Sequence, residues 1–339
     1  MGCAGQAWQT RHWLGSEFKT LDVPLSKLEN MESIYSADSI TPCLMSTQRP
    51  PTIDPQAAQR WQRMAPAPSP WLHEEVARRM EERLAWIKCQ PDSWAHWEPV
   101  RGGLQAHALL AQRYPHAGCF VAEARKDKAQ YAAKQIAKPW WRPTRWTAGA
   151  TQFEMPGDGA VQMLWANMTL HMAADPQDVM AQWHRALAVD GFLMFSCLGP
   201  DTLQELRGLY QSLGWPAPSH EFTDMHDWGD MLGAAGFAEP VMDMERITLT
   251  FETPQRLLQE LRGLGRNLQP QRFPGLRGRQ WREQLHRELD RLPLQLTFEV
   301  IYGHAFKPAP RLTMRAETVL SLDQMRETLS QRKKFSNNS

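Results

Sequence analysis

Three polar side chains follow apolar runs of the chain, at positions that suit binding of a nucleotide-type ligand. Asn167 comes directly after the run at 161–166, and His171 follows in the next loop. Glu123 ends the run CFVAE and lies twenty residues after Gly103. Ligands of open α/β sheets bind beyond the carboxyl ends of the strands, and an acid at this distance from a glycine turn suits hydrogen bonds to ribose hydroxyls.

The segment 160–203 contains the elements that must position the first two of these side chains. Its run at 161–166 is almost continuously apolar, as is typical of a parallel strand buried on both faces. Asp175 predicts the start of a helix, and Gly191 is expected to close that helix before a second apolar run at 192–198. Right-handed crossovers place two such strands side by side and parallel, so the pattern predicts an α/β fold.

Four stretches carry a family resemblance. They are the helical pattern at 52–87, FLMFSCLGPDTLQEL at 192–206, FTDMHDWGDMLGAAGFAEPVMDMERITLTF at 222–251 and VIYGHAFKP at 300–308. In these stretches the sequence resembles the malonyl-acyl-carrier-protein O-methyltransferases of biotin synthesis. These are class I methyltransferases that depend on S-adenosylmethionine (SAM), and the resemblance covers about residues 52–308.

The resemblance implies an α/β, Rossmann-like fold with a seven-stranded mixed sheet, helices on both faces, N-terminal helices and a helical insertion before the last strand. We expect a disordered or extended segment at 1–50 and a helical lead at 51–90. The methyltransferase domain is expected at 91–308, with its insertion at 253–292, and a tail at 309–339. Met45 lies just before the family-like region, which suggests the hypothesis that translation starts there.

The resemblance also implies SAM as the cofactor. Glycines in the turn after the first strand let the backbone approach the cofactor, and an acid after the second strand binds its ribose. The residues of this chain that match these positions, with the polar residue after the fourth strand, are Gly102, Gly103, Glu123 and Asn167.

Five positions depart from the family pattern. Trp97 stands at the place of an acid, and Pro99 and Arg101 stand at the places of two glycines. Ala150 and Gln162 replace two further aspartates, of which the first is the usual adenine contact. Each charged hydrogen bond lost would weaken cofactor binding by about 1 to 3 kcal/mol. The cation of Arg101 would repel a sulfonium or attract the carboxylate end of the same cofactor, and the sequence leaves both outcomes open.

Methyl transfer to a carboxylate needs few catalytic side chains. The attacking oxygen is already ionised near neutral pH, so no general base is required. Arg246 is a candidate for holding a carboxylate, although an ion pair with Glu245 is the alternative. Tyr302 and His304 share a face of the last strand, where they would border the pocket or form hydrogen bonds at a sheet edge. The candidate substrate contacts are Asn167, His171, Arg246 and Tyr302.

Bulk properties favour a cytoplasmic enzyme. The formal charge is +1, which does not favour nucleic acid as a partner. Five cysteines are scattered without metal-ligand spacing, so no metal is expected. No run approaches the roughly 20 apolar residues of a membrane helix, so no membrane partner is expected either. The segment PWWRPTRW, at 139–146, contains three tryptophans and two arginines and is interpreted as a pocket wall or an irregular apolar surface.

The insertion is strongly basic, with nine arginines against four acids between Arg256 and Arg291. Such a surface suits an acidic acyl carrier protein or the phosphates of coenzyme A. The function that the resemblance implies, and that we prefer, is methylation of the free carboxylate of malonyl-acyl carrier protein or malonyl-CoA. A non-catalytic relative that keeps the fold but binds SAM weakly is the main alternative. Methylation of another small carboxylate or of an RNA is a remoter one.

Overall fold

A computed structural model describes residues 53–136 and 149–310. The predictions for segment 1–50, for the cluster at 139–146 and for nearly all of the tail lie outside these residues. The main compact unit ends at Lys307, and a second unit begins at Pro308. Within the described residues, no helix has the length and apolar composition needed to cross a membrane.

Seven strands form one mixed sheet in the order β3-β2-β1-β4-β5-β7-β6. All neighbouring pairs are parallel except those of β7, which runs antiparallel to both β5 and β6. The strands are β1 (Ser93–Trp97), β2 (Gly118–Ala122), β3 (Thr151–Gln152), β4 (Val161–Ala166), β5 (Leu187–Leu198), β6 (Ala238–Thr250) and β7 (Gln295–Phe306). The predicted class I methyltransferase fold is confirmed by this sheet and its flanking helices.

Ten α-helices flank or precede the strands among the described residues. They are α1 (Pro55–Met64), α2 (Trp71–Arg83), α3 (Pro99–Gly102), α4 (Gln105–Arg113), α5 (Lys126–Ile136), α6 (Pro176–Ala186), α7 (Gln204–Ser212), α8 (Met225–Ala234), α9 (Pro254–Leu264) and α10 (Arg279–Leu289). The last two helices lie between β6 and β7, as the predicted insertion requires.

The central strands are apolar on both faces, which explains why they read as continuous apolar runs. Trp94 and Trp165 belong to a cluster that includes residues of α2, α7, α9 and α10. Their sequence neighbours Ala95 and Leu164 belong to a second cluster, with residues of α6 and α8. Because side chains alternate along a strand, each strand contributes to both cores.

Gly191 does not close α6, contrary to the prediction. The helix ends at Ala186, and β5 begins at Leu187, so the glycine lies inside the strand. The register with β4 shifts here, because Leu187 pairs with Val161. A Cβ on Gly191 would lie 3.0 Å from the carbonyl oxygen of Gln162, so the glycine serves the close approach of two strands.

The first helix packs in a cluster of its own. Trp61 of α1 and Leu268, beyond α9, belong to a small apolar group that is separate from the two main cores. The Asp54 carboxylate caps α1 and forms an ion pair with Arg272 at 2.7 Å. The apolar cluster that holds α1 is therefore small, and Leu268 is its contribution from the insertion.

Candidate functional site

A pocket opens at the carboxyl ends of β1 and β4, where the strand order reverses. This is the place where open α/β sheets bind ligands. Its volume is about 90 Å³. Its lining includes Trp61, His73, Trp97, Glu98, Arg101 and Lys128.

The turn after β1 keeps two glycines for distinct steric reasons. Gly103 has φ +122°, a conformation that side chains other than glycine's rarely adopt. A Cβ on Gly102 would lie 2.7 Å from the carbonyl oxygen of Asn167, so this glycine lets the turn pack against the end of β4. Both predicted cofactor glycines therefore determine the path of the turn beside the pocket. Neither is among the described residues that line it.

Glu123 lies at the end of β2, as predicted, and is buried. Its Oε1 accepts a hydrogen bond of 2.8 Å from the backbone N–H of Val100, within the turn. Burial raises the pKa of Glu123 to about 7, and repulsion from Glu98 adds to the shift. The Oε1 atom of Glu123 therefore stabilises the turn after β1. A hydrogen bond from a ribose hydroxyl to the other carboxylate oxygen stays a prediction.

Asn167 is fully buried and its side chain is saturated by the protein. Its Nδ2 donates to the carbonyl of His73 at 2.8 Å and to the carbonyl of Gly102. Its Oδ1 accepts from the hydroxyl of Ser196 at 2.6 Å. Asn167 therefore joins α2, the turn after β1 and β5, and its contribution to a ligand site is one of positioning.

Arg101 points its charge at backbone carbonyls. The guanidinium donates to Pro66 and Pro68, in the link between α1 and α2, at 3.1 and 3.0 Å. It also donates to Gly263 at 2.7 Å, near the end of α9. Burial lowers the pKa of Arg101 to about 10. The guanidinium of Arg101 therefore joins the α1–α2 link to the end of α9 beside the pocket. These hydrogen bonds are called the Arg101 clamp below.

Three histidines lie near the pocket and are buried. His73 contacts the carbonyl of Arg101 through Nδ1 at 2.7 Å, and burial lowers its pKa to about 4. His220 contacts the carbonyl of His171 through Nε2 at 3.0 Å. Burial, with the neighbouring histidines, also lowers the pKa of His171, whose Nδ1 has no hydrogen-bond partner among the described residues. All three rings are therefore neutral near pH 7.

Two of the missing aspartates fall far from the pocket. Gln162 lies at the amino end of β4, where its Oε1 accepts the backbone N–H of Asp92 at 2.6 Å. Five residues of strand, roughly 16 Å, separate it from Asn167. The carbonyl of Ala150 accepts from the N–H of Cys119, near the amino end of β2. The sequence interpretation of both positions as lost cofactor contacts is therefore corrected.

Arg246 and Tyr302 lie outside the described pocket lining. Arg246 pairs with Asp201 at 2.5 Å, instead of with Glu245, and more than half of its side chain is exposed. The Tyr302 hydroxyl donates to Glu245, and the Arg83 guanidinium lies 3.7 Å from the ring centre. Tyr302 is therefore buried under α2 and does not border the pocket as expected, and substrate contact by Arg246 stays a prediction.

His304, the other candidate on β7, also lies outside the described pocket lining. Its ring packs against the rings of Phe192 and Phe306. His226, by contrast, contacts the carboxylate of Asp224, which caps α8. His226 therefore takes part in the start of a helix and does not belong to the pocket.

The GPDTL turn at 199–203 is fastened to β7. The N–H of Asp201 donates to the Glu299 carboxylate at 2.7 Å, and the hydroxyl of Thr202 donates to the Glu299 carbonyl at 3.2 Å. The N–H of Leu203 donates to the carbonyl of Thr297 at 2.7 Å. These bonds account for the motif structurally.

No protein-family model matches the chain, but curated relatives do. A malonyl-[acyl-carrier protein] O-methyltransferase of Gallionella capsiferriformans is 36% identical over 268 residues, which cover 74% of this chain and 88% of the relative. One of Laribacter hongkongensis is 36% identical over 71% of this chain and 84% of its own length. The chain belongs to this family.

A third member of the malonyl-[acyl-carrier protein] O-methyltransferase family, from Nitrosospira multiformis, is 34% identical over 72% of this chain and 85% of its own length. Membership makes this chain an enzyme of the methyltransferase class and confirms the family resemblance. It favours the enzyme over the non-catalytic alternative.

Sequence reasoning missed Glu98, the next residue after the expected acid position. Its φ of 47° and ψ of 49° place it in the left-handed region. The side chain is half-buried and lines the pocket, and it has no hydrogen bond or ion pair among residues 53–136 and 149–310. The signal was available, because a strand end followed by a proline is a place where the chain turns.

Proposed function

We propose that this chain transfers the methyl group of SAM to the free carboxylate of a malonyl thioester on acyl carrier protein, as a cytoplasmic step of biotin synthesis. The observation that supports the proposal is similarity to relatives of that name over as much as 74% of this chain, together with a pocket at the carboxyl edge of the sheet. Methylation would mask the charge of the malonyl carboxylate, and the methyl ester could then enter chain elongation.

The charged groups around the pocket fit a cationic nucleoside. The Glu98 carboxylate has no hydrogen bond or ion pair among the described residues, while the Arg101 cation donates to four backbone carbonyls. Glu123 has a second oxygen for a ribose hydroxyl. SAM supplies an electrophilic methyl group on a sulfonium, and the residues of the chain need only bind and orient it against the substrate.

The volume of the pocket requires movement. Small-molecule sites usually enclose about 300 to 1,000 Å³, several times the 90 Å³ found here. Trp61 and Arg101 fill the space on the side of α1, and α1 is the helix with the smallest apolar cluster. We therefore expect α1 to shift when the cofactor binds.

The substrate side needs no proton acceptor. A malonyl carboxylate is ionised at neutral pH, so the attack on the methyl group removes no proton. Asn167 and Tyr302 are saturated by protein groups, whereas the neutral ring of His171 has a buried nitrogen without a hydrogen-bond partner among residues 53–136 and 149–310. His171 is not itself among the described lining residues, but the next residue, Met172, is, so His171 is the candidate substrate contact that we favour. A neutral ring also avoids repelling the sulfonium.

The carrier protein is expected to dock on the insertion. Between α9 and α10 the chain exposes Phe273 and Leu276, the second of which is 99% exposed. Arg277 stacks on Phe273 at 3.8 Å, and Arg282 is exposed without an ion pair among the described residues. An apolar tip with basic neighbours complements an acidic partner that has its own apolar contact.

Calorimetric titration with SAM, followed by a methyl-transfer assay on malonyl-acyl carrier protein, tests the proposal. We expect saturable binding and a base-labile methyl ester on the malonyl group. No heat at millimolar SAM, in protein that is folded by circular dichroism, would contradict the proposal and leave the scaffold alternative.

Carrier recognition is tested by reversing Arg277 and Arg279 to Glu. We expect the KM for malonyl-acyl carrier protein to rise at least tenfold, with little change for malonyl-CoA, because only the carrier presents an extended acidic surface. Arg185→Glu, an exposed reversal on α6, is the matched control. Equal changes in all variants would exclude docking at the insertion.

A further inference from the structure

We propose that Glu98 binds the positively charged methionine portion of the cofactor, in place of the acid that Trp97 displaces. This inference rests on the proposed function, because it assigns a residue of the same site. It makes Glu98 a binding residue and leaves the methyl transfer itself to positioning of the two reactants.

The first argument for this assignment is the direction of the Trp97 and Glu98 side chains. Trp97 also borders the pocket, but its ring packs 6.3 Å from the ring of Trp183, in the core between the sheet, α6 and α8. A strand that continued regularly would send the next side chain to the opposite face. The left-handed backbone of Glu98 ends the strand instead, and its side chain lines the pocket.

That conformation is a second observation in favour of a function. A left-handed backbone is unfavourable for a glutamate by about 1 kcal/mol or more and is stabilised here by its surroundings. The N–H of Glu98 donates to the carbonyl of Ala122 at 2.8 Å, and its carbonyl accepts from Gly102 at 3.0 Å. These bonds fix the carboxylate at the pocket.

The charges around Glu98 are consistent with a cationic ligand. It is the one acid among the described residues that line the pocket. Lys128 also lines the pocket, but no ion pair joins it to Glu98 among the described residues. Burial raises the pKa of Glu98, and a bound cation would oppose that shift.

Three ligands that differ in their charged groups distinguish which group Glu98 contacts. SAM carries a sulfonium and an ammonium group, S-adenosylhomocysteine carries only the ammonium, and methylthioadenosine carries neither. Glu98→Gln should raise the Kd for SAM by about 10- to 100-fold, the loss of one charged hydrogen bond, and leave the Kd for methylthioadenosine unchanged. The Kd for S-adenosylhomocysteine should rise equally if the ammonium is the contact, and remain unchanged if it is the sulfonium.

Matched variants control for folding and net charge. Glu98→Asp keeps the charge and tolerates the left-handed backbone, so it should retain most of the affinity. Glu252→Gln removes an exposed carboxylate and should bind all three ligands as the parent does. Titration of each, after its melting temperature is measured, reads binding directly and does not depend on turnover.

The outcomes distinguish this inference from the proposed function. If the parent chain binds no SAM, the proposed function fails. If the parent binds SAM and Glu98→Gln binds it equally well, only the assignment of Glu98 fails. An equal loss for SAM and methylthioadenosine would also overturn the assignment, because it would show a structural effect on the whole pocket.

Discussion

The turn at 99–103 after β1 and the turn at 199–203 after β5 lie at the same edge of the sheet but differ in what holds them. The first is bordered by the Glu98 carboxylate, which has no hydrogen bond or ion pair within the described part of the chain, and by the Arg101 clamp. The second uses its polar groups in hydrogen bonds to β7, chiefly to Glu299. The comparison shows that the GPDTL turn, which is the more recognisable family motif, has a structural role. The altered glycine turn after β1 is the one that borders the pocket.

Removal of the polar group behind the first turn should have the largest effect. Asn167→Ala leaves two buried carbonyls without their donor and the Ser196 hydroxyl without its acceptor, so we expect a loss of about 3 to 5 kcal/mol in unfolding free energy. Urea denaturation measures it. Gln162→Ala, at the other end of the same strand, should lose less than about 1 kcal/mol. Similar losses would refute the positioning role of Asn167.

The second turn should affect stability but not cofactor binding. Glu299→Ala removes the acceptor of the Asp201 N–H, and we expect a loss of about 2 to 3 kcal/mol in unfolding free energy. Calorimetry at a temperature where the variant is folded should give the parent affinity for SAM. A large loss of affinity would show that this turn also shapes the pocket.

The pH dependence of stability should report Glu123 at the first turn. Its pKa in the folded chain is raised to about 7 from 4.5, so the folded protein holds a proton that the unfolded chain releases. Stability should fall by about 3 kcal/mol as pH rises from 4.5 to 7 and then level off.

Glu123→Gln should lack that component of the pH dependence. His73, whose pKa is lowered to about 4, contributes in the opposite direction below pH 6.5, and it does so in both proteins. The difference between parent and variant therefore isolates Glu123. A constant difference from pH 4.5 to 8 would contradict the buried, protonated carboxyl.

The Arg101 clamp should have the smallest effect on stability and a clear effect on mobility. Arg101→Met keeps much of the buried side chain but gives up its bonds to the α1–α2 link and to α9, at a loss of about 1 kcal/mol. We expect faster amide hydrogen exchange in α1 and a few-fold tighter binding of SAM, because the pocket opens more easily. Unchanged exchange would show that the clamp does not restrain α1.

The sequence predicted the sheet, the family and the edge where the pocket lies, because burial on both faces leaves a strong apolar pattern in β4 and β5. It did not identify Glu98, since Pro99 signals a turn but not the left-handed backbone that directs the Glu98 side chain to the pocket. It also misplaced Ala150 and Gln162, because alignment positions do not reveal which end of a strand a residue occupies. The direction of Arg101 depends on carbonyls more than 30 residues earlier and 160 residues later.

The clamp has a kinetic consequence. Arg101 ties the link after α1 to the end of α9, so a shift of α1 is transmitted to the insertion on which the carrier protein is expected to dock. Cofactor that enters first would release both restraints before the thioester arrives. We therefore expect an ordered sequence of binding, with the nucleoside first on and last off, and product inhibition by S-adenosylhomocysteine that is competitive with SAM.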